Sequence, residues 1–268
     1  MTLQLRARTG IPEGDAMIRP MLAELDLAAQ QPPAQTRTDL LWQGAPSPFG
    51  STPPQVLAQL AEAGQPFEPA SAAPALHLAA LAQALRRLEL CGRWRNETVR
   101  VAHPAGPTCI ERGCARVLGI PTLAVHLIGW SLDGGLWLQQ RAASKAEDPN
   151  LWDTLVGGMV SSEERPRDAL LRETWEEAGL QLAELGPLRK APTLHSSRPV
   201  ADAGGMGYLQ ERLLTAQVTL PEGLRPSNQD GEVQAFALWR PDEVRAGIAR
   251  GEFTLDAARL LLRVLPPC

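Results

Sequence analysis

Long apolar runs are missing from this 268-residue sequence. None approaches the roughly 20 residues a membrane-spanning helix needs, so no membrane partner is expected. The opening segment, Met1 to Ala16, mixes Arg, Gly, Pro, Glu and Asp and lacks the apolar stretch of a secretory leader. A cytoplasmic location is the expectation. A basic surplus is missing too: the net charge is -4 and the pI is near 5.7. A general nucleic-acid binder usually carries excess positive charge, so no nucleic-acid partner is expected, while a small phosphate ester stays open. Cysteine is scarce, with Cys91, Cys109, Cys114 and Cys268. No His or Cys pair follows Cys109 and Cys114 at zinc-finger spacing, which leaves reduced thiols as the plain reading. Aromatic residues are one Tyr, four Phe and seven Trp. Neither an internal repeat nor a long low-complexity tract is present.

What is there divides near residue 118. The first hundred residues are rich in Ala, Gln and Pro, and prolines break them into short helical stretches. Thr52-Pro53-Pro54 predicts a helix start with Thr52 as cap and Gly64 as terminator. Leu78, Leu81, Leu85 and Leu88 recur at spacings of three and four and predict a helix over 75–90. After Gly92 strand patterns enter. Segments 98–102 and 122–132 read as strands, the second a buried one. Asp133-Gly134-Gly135 makes a hairpin turn into 136–141. Later strands are expected at 206–220 and 233–239, with helices after Pro241 and Thr254. These patterns predict an α/β (α+β) core, with helices on a mixed sheet over 119–268. A smaller, mostly helical N-terminal region is expected over 1–118.

Residues 158–180, GMVSSEERPRDALLRETWEEAGL, carry the chemistry. On a helix over 166–178, Glu173, Glu176 and Glu177 stand at i, i+3 and i+4 and share a face. Leu170, Leu171, Thr174 and Ala178 make the stripe expected to pack inward. Two unit charges 4 Å apart repel by about 4 kcal/mol at an effective dielectric near 20. Glutamates splayed on a solvated face avoid this cost, whereas a cluster held in place needs protons or a cation. Mg²⁺ and Mn²⁺ are hard ions that prefer such oxygen ligands. The Gly157-Gly158 pair lets a backbone carbonyl approach an ion.

The segment resembles the Nudix box, G-x5-E-x7-R-E-U-x-E-E-x-G-U with U apolar. Gly158, Glu164, Arg172, Glu173, Glu176, Glu177, Gly179 and Leu180 match it. Thr174 departs, standing where an aliphatic residue is usual. The resemblance implies an α/β/α sandwich and a divalent-metal-dependent hydrolase of a small-molecule diphosphate substrate. It implies Gly157, Glu173, Glu176 and Glu177 as metal ligands, with Glu164 in support and Arg172 orienting a ligand carboxylate. Many members use a further glutamate as ligand or general base, and Glu232 is the candidate here.

The stretches WRNE (94–97), IERGCARVLGIPT (110–122), AVHLIGW (124–130) and DGEVQAFALW (230–239) look like a narrower Nudix subgroup. It has an extra N-terminal DUF4743-type domain and is related to thiamin pyrophosphokinase. That resemblance implies thiamin diphosphate or a damaged analogue as substrate, with the monophosphate as product. Trp94, Trp130 and Trp137 are then candidates to stack on the heterocycle, through cation–π contact if it is a thiazolium; plain core positions are the alternative. Arg141, Lys145 and Arg198 are candidates to meet phosphate. His126, inside an apolar strand, reads as a buried, satisfied histidine. A hydrolase of nucleoside diphosphate derivatives fits the same box. A Nudix-fold isomerase and a non-catalytic ligand sensor fit it less well, since the box is intact and the flanking stretches point to the hydrolase subgroup. A homodimer is compatible with all of these readings.

Overall fold

A computed structural model describes residues 13–266 of the chain. Cys268 and residues 1–12 of the opening segment lie outside the described residues. Helix α1 (Glu13–Ala29) comes first, an element the sequence reading had not assigned. Strands β1 (Thr38–Leu40) and β2 (Gly50–Thr52) form an antiparallel pair. Helices α2 (Pro54–Glu62) and α3 (Pro74–Arg87) follow, then a second antiparallel pair, β3 (Thr98–Val101) and β4 (Thr108–Glu111).

Two of the expected boundaries shift for identifiable reasons. Thr52 does not cap α2. Its buried hydroxyl donates to the Val117 carbonyl at 2.9 Å, which leaves Pro53 at the cap position without a side-chain bond. Helix α3 stops at Arg87 because Glu89 turns left-handed, with φ +57°, and the Leu90 N–H returns to the Leu85 carbonyl. Leu78, Leu81 and Leu85 are buried as the spacing predicts. Each contributes about 1.5–3 kcal/mol relative to exposure. With Trp42, Val56, Leu60, Ile110 and Ile120 they build one core.

The remaining strands make a mixed sheet. They are β5 (Thr122–Trp130), β6 (Leu136–Arg141), β7 (Trp152–Asp153) and β8 (Val156–Met159). After helix α4 (Pro166–Ala178) come β9 (Arg189–Lys190) and β10 (Leu194–Val200). A four-residue turn, α5 (Asp202–Gly205), precedes β11 (Gly207–Thr219) and β12 (Val233–Trp239). Helices α6 (Pro241–Ala249) and α7 (Leu255–Val264) close the described chain. The strand order is β10-β11-β5-β6-β12, with β8 on β5, β7 on β6 and β9 on β11. Only β5 and β11 run parallel, in register from Thr122 against Glu211 to Trp130 against Thr219.

The run of apolar residues in β5 is split by the pleat. Val125 and Leu127 face α4, where Val156, Leu170 and Ala178 join them. Ile128, with Leu136 and Leu138 from β6, faces α6 and α7. Ile18, Met21, Leu22 and Leu25 of α1 pack against that second layer. Helices therefore cover both faces of the sheet, and α4, which carries the glutamates, lies against β5 and β8.

Candidate active site

Helix α4 has the boundaries its sequence dictates. Pro166 occupies the first turn, and Gly179 takes the left-handed conformation at φ +63°. Leu170, Thr174 and Ala178 are buried at i, i+4 and i+8. Thr174 spends its hydroxyl on the Leu170 carbonyl at 2.6 Å, so it packs without an unmet polar group. Leu171, expected on the same stripe, is 43% exposed instead. One step from Leu170 turns it about 100° around the axis. The inward position falls to Glu177, which is 1% exposed.

Arg172 organises the carboxylates. Its guanidinium meets both Glu164 oxygens, at 2.6 and 2.9 Å, and reaches Glu173 at 2.8 Å and Glu176 at 2.9 Å. A fifth contact goes to the Met159 carbonyl at 3.2 Å. A planar fork with five donors suits this many partners, as one ammonium would not. Arg172 and the Ser161 amide hold the Glu164 carboxyl down to about 2. Glu173 is pushed the other way, up to about 7: burial dominates, Arg172 opposes it, and Glu176 and Glu232 add repulsion.

Glu177 points elsewhere. Its Oε2 accepts from the Gly157 N–H and from Gln139 Nε2, both at 2.9 Å, and Lys145 lies 3.9 Å away. Burial still outweighs these partners and raises its carboxyl to about 8. As they stand, the four box carboxylates are apportioned between Arg172 and the Gly157 amide. Among the described residues no three acidic, His or Cys side chains converge as a ready ion cage.

Gly157 and Gly158 divide the surroundings. A Cβ on Gly158 would overlap the Glu173 carboxyl group, and one on Gly157 would stand 2.8 Å from the His126 ring. His126 is buried and satisfied by Thr154 Oγ1 at 2.9 Å, as its place in an apolar strand suggested. Glu232, at the start of β12, is paired with Lys145. Burial would raise its carboxyl, yet Lys145 holds it below its ordinary value, aided by the charges of Arg95 and Arg112. Glu232 thus belongs to the electrostatic neighbourhood of Glu173.

On the Gly157 side lies a cleft of two adjoining cavities, about 540 and 140 Å³. Arg112, Arg116, Met159, Arg198 and Leu209 line both. Arg141 borders the inner one, with its guanidinium 3.6 Å from Asp153 and bonded to the Glu147 carbonyl. Arg198 therefore stands where a phosphate contact was expected. Arg141 stands there with its charge shared, and Lys145 sits at Glu232. The three tryptophans are placed otherwise and line neither cavity. Trp94 lies under Arg86, 4.5 Å from its guanidinium, and donates to Asn96. Trp130 packs toward α6 and α7 and donates to Gln217, and Trp137 is buried in the α4 layer. Sequence reasoning missed the arginines of the N-terminal region at this cleft, Arg93, Arg95, Arg112 and Arg116. Single arginines in loops have no periodicity to mark them. The one available signal was that three of the four fall inside the stretches WRNE and IERGCARVLGIPT.

Comparison with known proteins agrees with this geometry. The NUDIX domain family matches residues 121–262, just over half of the chain. Nudix hydrolase 20, chloroplastic, of Arabidopsis thaliana is 30% identical over 159 residues, covering 54% of this chain and 38% of its own length. An uncharacterized protein of Saccharomyces cerevisiae is 26% identical over 192 residues, 64% of this chain and 54% of its own. The m7GpppN-mRNA hydrolase NUDT17 of Homo sapiens is 32% identical over 154 residues, 54% of this chain and 45% of its own. The chain thus spans about half or less of the length of these relatives.

Proposed function

Because this chain belongs to the Nudix family, we propose that it hydrolyses the diphosphate linkage of a small organic diphosphate with the help of Mg²⁺ or Mn²⁺. The observation that carries this reading is the set Glu173, Glu176 and Glu177 of helix α4, with Glu164 from the preceding loop, gathered against Gly157 and Gly158, which lie in strand β8 and not in the turn the sequence suggested. Burial pushes the Glu173 and Glu177 carboxyls up, to about 7 and about 8, so their charged forms are costly without a neighbouring positive charge. A hard divalent cation is the natural source of that charge. Gly158 leaves the space in which Glu173 sits.

Glu173, Glu176 and Glu177 would hold the ion, with Glu164 supporting through Arg172. When bound, the ion supplies charge neutralisation at the phosphoryl oxygens and a more acidic water. The chain's own groups do the rest. Arg172 fixes the carboxylates by charge-assisted bonds. Glu232, paired with Lys145, would take a proton from the attacking water. Water adds to phosphorus, the anhydride P–O bond breaks, and two phosphate-bearing products leave.

For the substrate, the finer reading is a thiamin-type diphosphate converted to its monophosphate. Its support is that the subgroup-like stretches around Arg95, Arg112, Arg116 and Thr122 are among the residues lining the cleft. The tryptophans add no support, since none lines it. A nucleoside diphosphate derivative is the second reading, favoured by the similarity to the mRNA-cap hydrolase noted above. A turnover panel of thiamin diphosphate, oxothiamin diphosphate, ADP-ribose, diadenosine polyphosphates and dNTPs, read by released phosphate or by nucleotide product, separates them. Turnover of the thiamin compounds above the rest supports the first reading, and turnover of nucleotides alone rejects it.

A further inference from the structure

The arginines at residues 93–112 spring from a rigid base. The buried Glu111 carboxylate accepts from the Arg95 N–H at 2.8 Å and the Gly113 N–H at 3.3 Å. The Arg112 N–H donates to the Glu97 carbonyl, and the Gly92 N–H to the Gly113 carbonyl, both at 2.8 Å. Only glycine fits at 113, where a Cβ would stand 2.7 Å from the Arg93 carbonyl oxygen. This base is moored to the box itself. The Ser162 N–H donates to the Thr98 carbonyl at 2.8 Å, the two hydroxyls are 2.6 Å apart, and Arg100 reaches the Ser162 carbonyl at 2.7 Å. The N-terminal region is therefore fixed to the loop between Gly158 and Glu164 and forms a wall of the cleft.

That wall is cationic. The larger cavity is lined by five arginines, Arg93, Arg95, Arg112, Arg116 and Arg198, against three carboxylates, Glu147, Asp148 and Asp202. Arg116 is committed to Glu147 and lies 3.9 Å from Asp202, while Arg112 shares its charge with Glu97 at 2.7 Å. Arg95 and Arg198 make no salt bridge among the described residues, and Arg198 Nε is buried without a partner. Guanidinium groups outside any ion pair, one of them with a buried unmet donor, call for an anion with several acceptor oxygens.

Resting on the hydrolase reading, we propose that Arg95, Arg112 and Arg198 bind the terminal phosphate of the substrate. The N-terminal region thereby selects diphosphate monoesters over internal diphosphate diesters. A terminal phosphate carries about -1.5 to -2 near pH 7 and offers three acceptor oxygens. An esterified one carries a single charge, has fewer free oxygens and brings a bulky group into the guanidinium site. Rigid arginines lose little freedom on engaging a planar, bidentate contact.

Equilibrium binding tests this without depending on turnover. Calorimetric titration of the full chain with inorganic diphosphate, ADP and ADP-ribose compares free with esterified ends. Wild type is expected to bind ADP more tightly than ADP-ribose. Arg95→Gln and Arg198→Gln should each weaken ADP by about tenfold and ADP-ribose by less than about threefold, with Arg95→Lys in between. Unchanged thermal unfolding of the variants shows that the fold is kept. Equal losses on both ligands, no loss on either, or a wild type that binds neither ADP nor inorganic diphosphate overturns the proposal. The hydrolase reading fails separately, by absence of turnover in a protein that still discriminates the ligands.

Discussion

The Glu173 carboxyl group lies against the α-carbon of Gly158, where the Cβ of any other residue would stand. The box glycine and the first box glutamate of the helix, 15 positions apart in sequence, are thus one steric unit. Gly158→Ala forces Glu173 to move while deleting no charge. A misplacement on the ångström scale near reacting atoms costs about 100-fold in rate. Steady-state kinetics of Gly158→Ala should show kcat reduced by about that factor, with circular dichroism unchanged. Activity retained at the wild-type level would show that Glu173 need not occupy its present place.

Arg172 is the second point of leverage. It bridges Glu164, Glu173 and Glu176 and the Met159 carbonyl. Its side chain is about one-third exposed, so solvent discounts each pair. Arg172→Ala is expected to cost about 1–2 kcal/mol of unfolding free energy, and Arg172→Lys to recover less than half of it. Urea unfolding of the metal-free variants measures both. Full recovery by lysine would mean that charge alone, not the fork, holds the cluster.

An acid-sensitive clasp ties α1 to α7. Asp26 faces Arg259 at 3.0 Å and Arg263 at 2.5 Å. Burial would raise its carboxyl, but the bonds from Arg259 and Arg263 outweigh that and hold it below the ordinary carboxylate range. The folded state therefore binds its proton less readily than the unfolded state. The stabilisation is present above that ordinary value and is lost as pH falls through the lowered one. Thermal unfolding from pH 6 to pH 3 should show a steeper acid decline for wild type than for Asp26→Asn. Superimposable declines would remove Asp26 from the account.

How much of this was legible in the sequence depended on whether the signal was local. Helix α4 runs over 166–178 with Gly179 as its stop, and β12 over 233–239, as read, because proline, glycine and alternation mark their ends. Helix α1 was not legible: Pro20, a residue that argues against a helix interior, lies inside it, and the arginines that clasp Asp26 lie more than 230 residues away. Strand β10, LHSSRPV, is poor in apolar residues and owes its form to seven register pairs with β11. The glutamates at the site were readable because one helix carries them at fixed spacing. Of the arginine wall only Arg198 was singled out; Arg95 and Arg112, which flank the β3–β4 pair, join it at one cavity only in the folded chain. Trp94, Trp130 and Trp137 were singled out by residue type, and packing placed each away from the cleft lining.

The most direct measurement is release of phosphate or of a nucleotide product from the diphosphate panel, with and without Mg²⁺ or Mn²⁺, for wild type and Glu176→Gln. The Glu176 side chain is partly exposed and bonded only to Arg172 among the described residues, so the exchange leaves the fold standing. The account predicts metal-dependent turnover by wild type that falls by at least about 100-fold in Glu176→Gln, with an unchanged unfolding midpoint. Turnover that needs no divalent ion, or that survives Glu176→Gln undiminished, would contradict it.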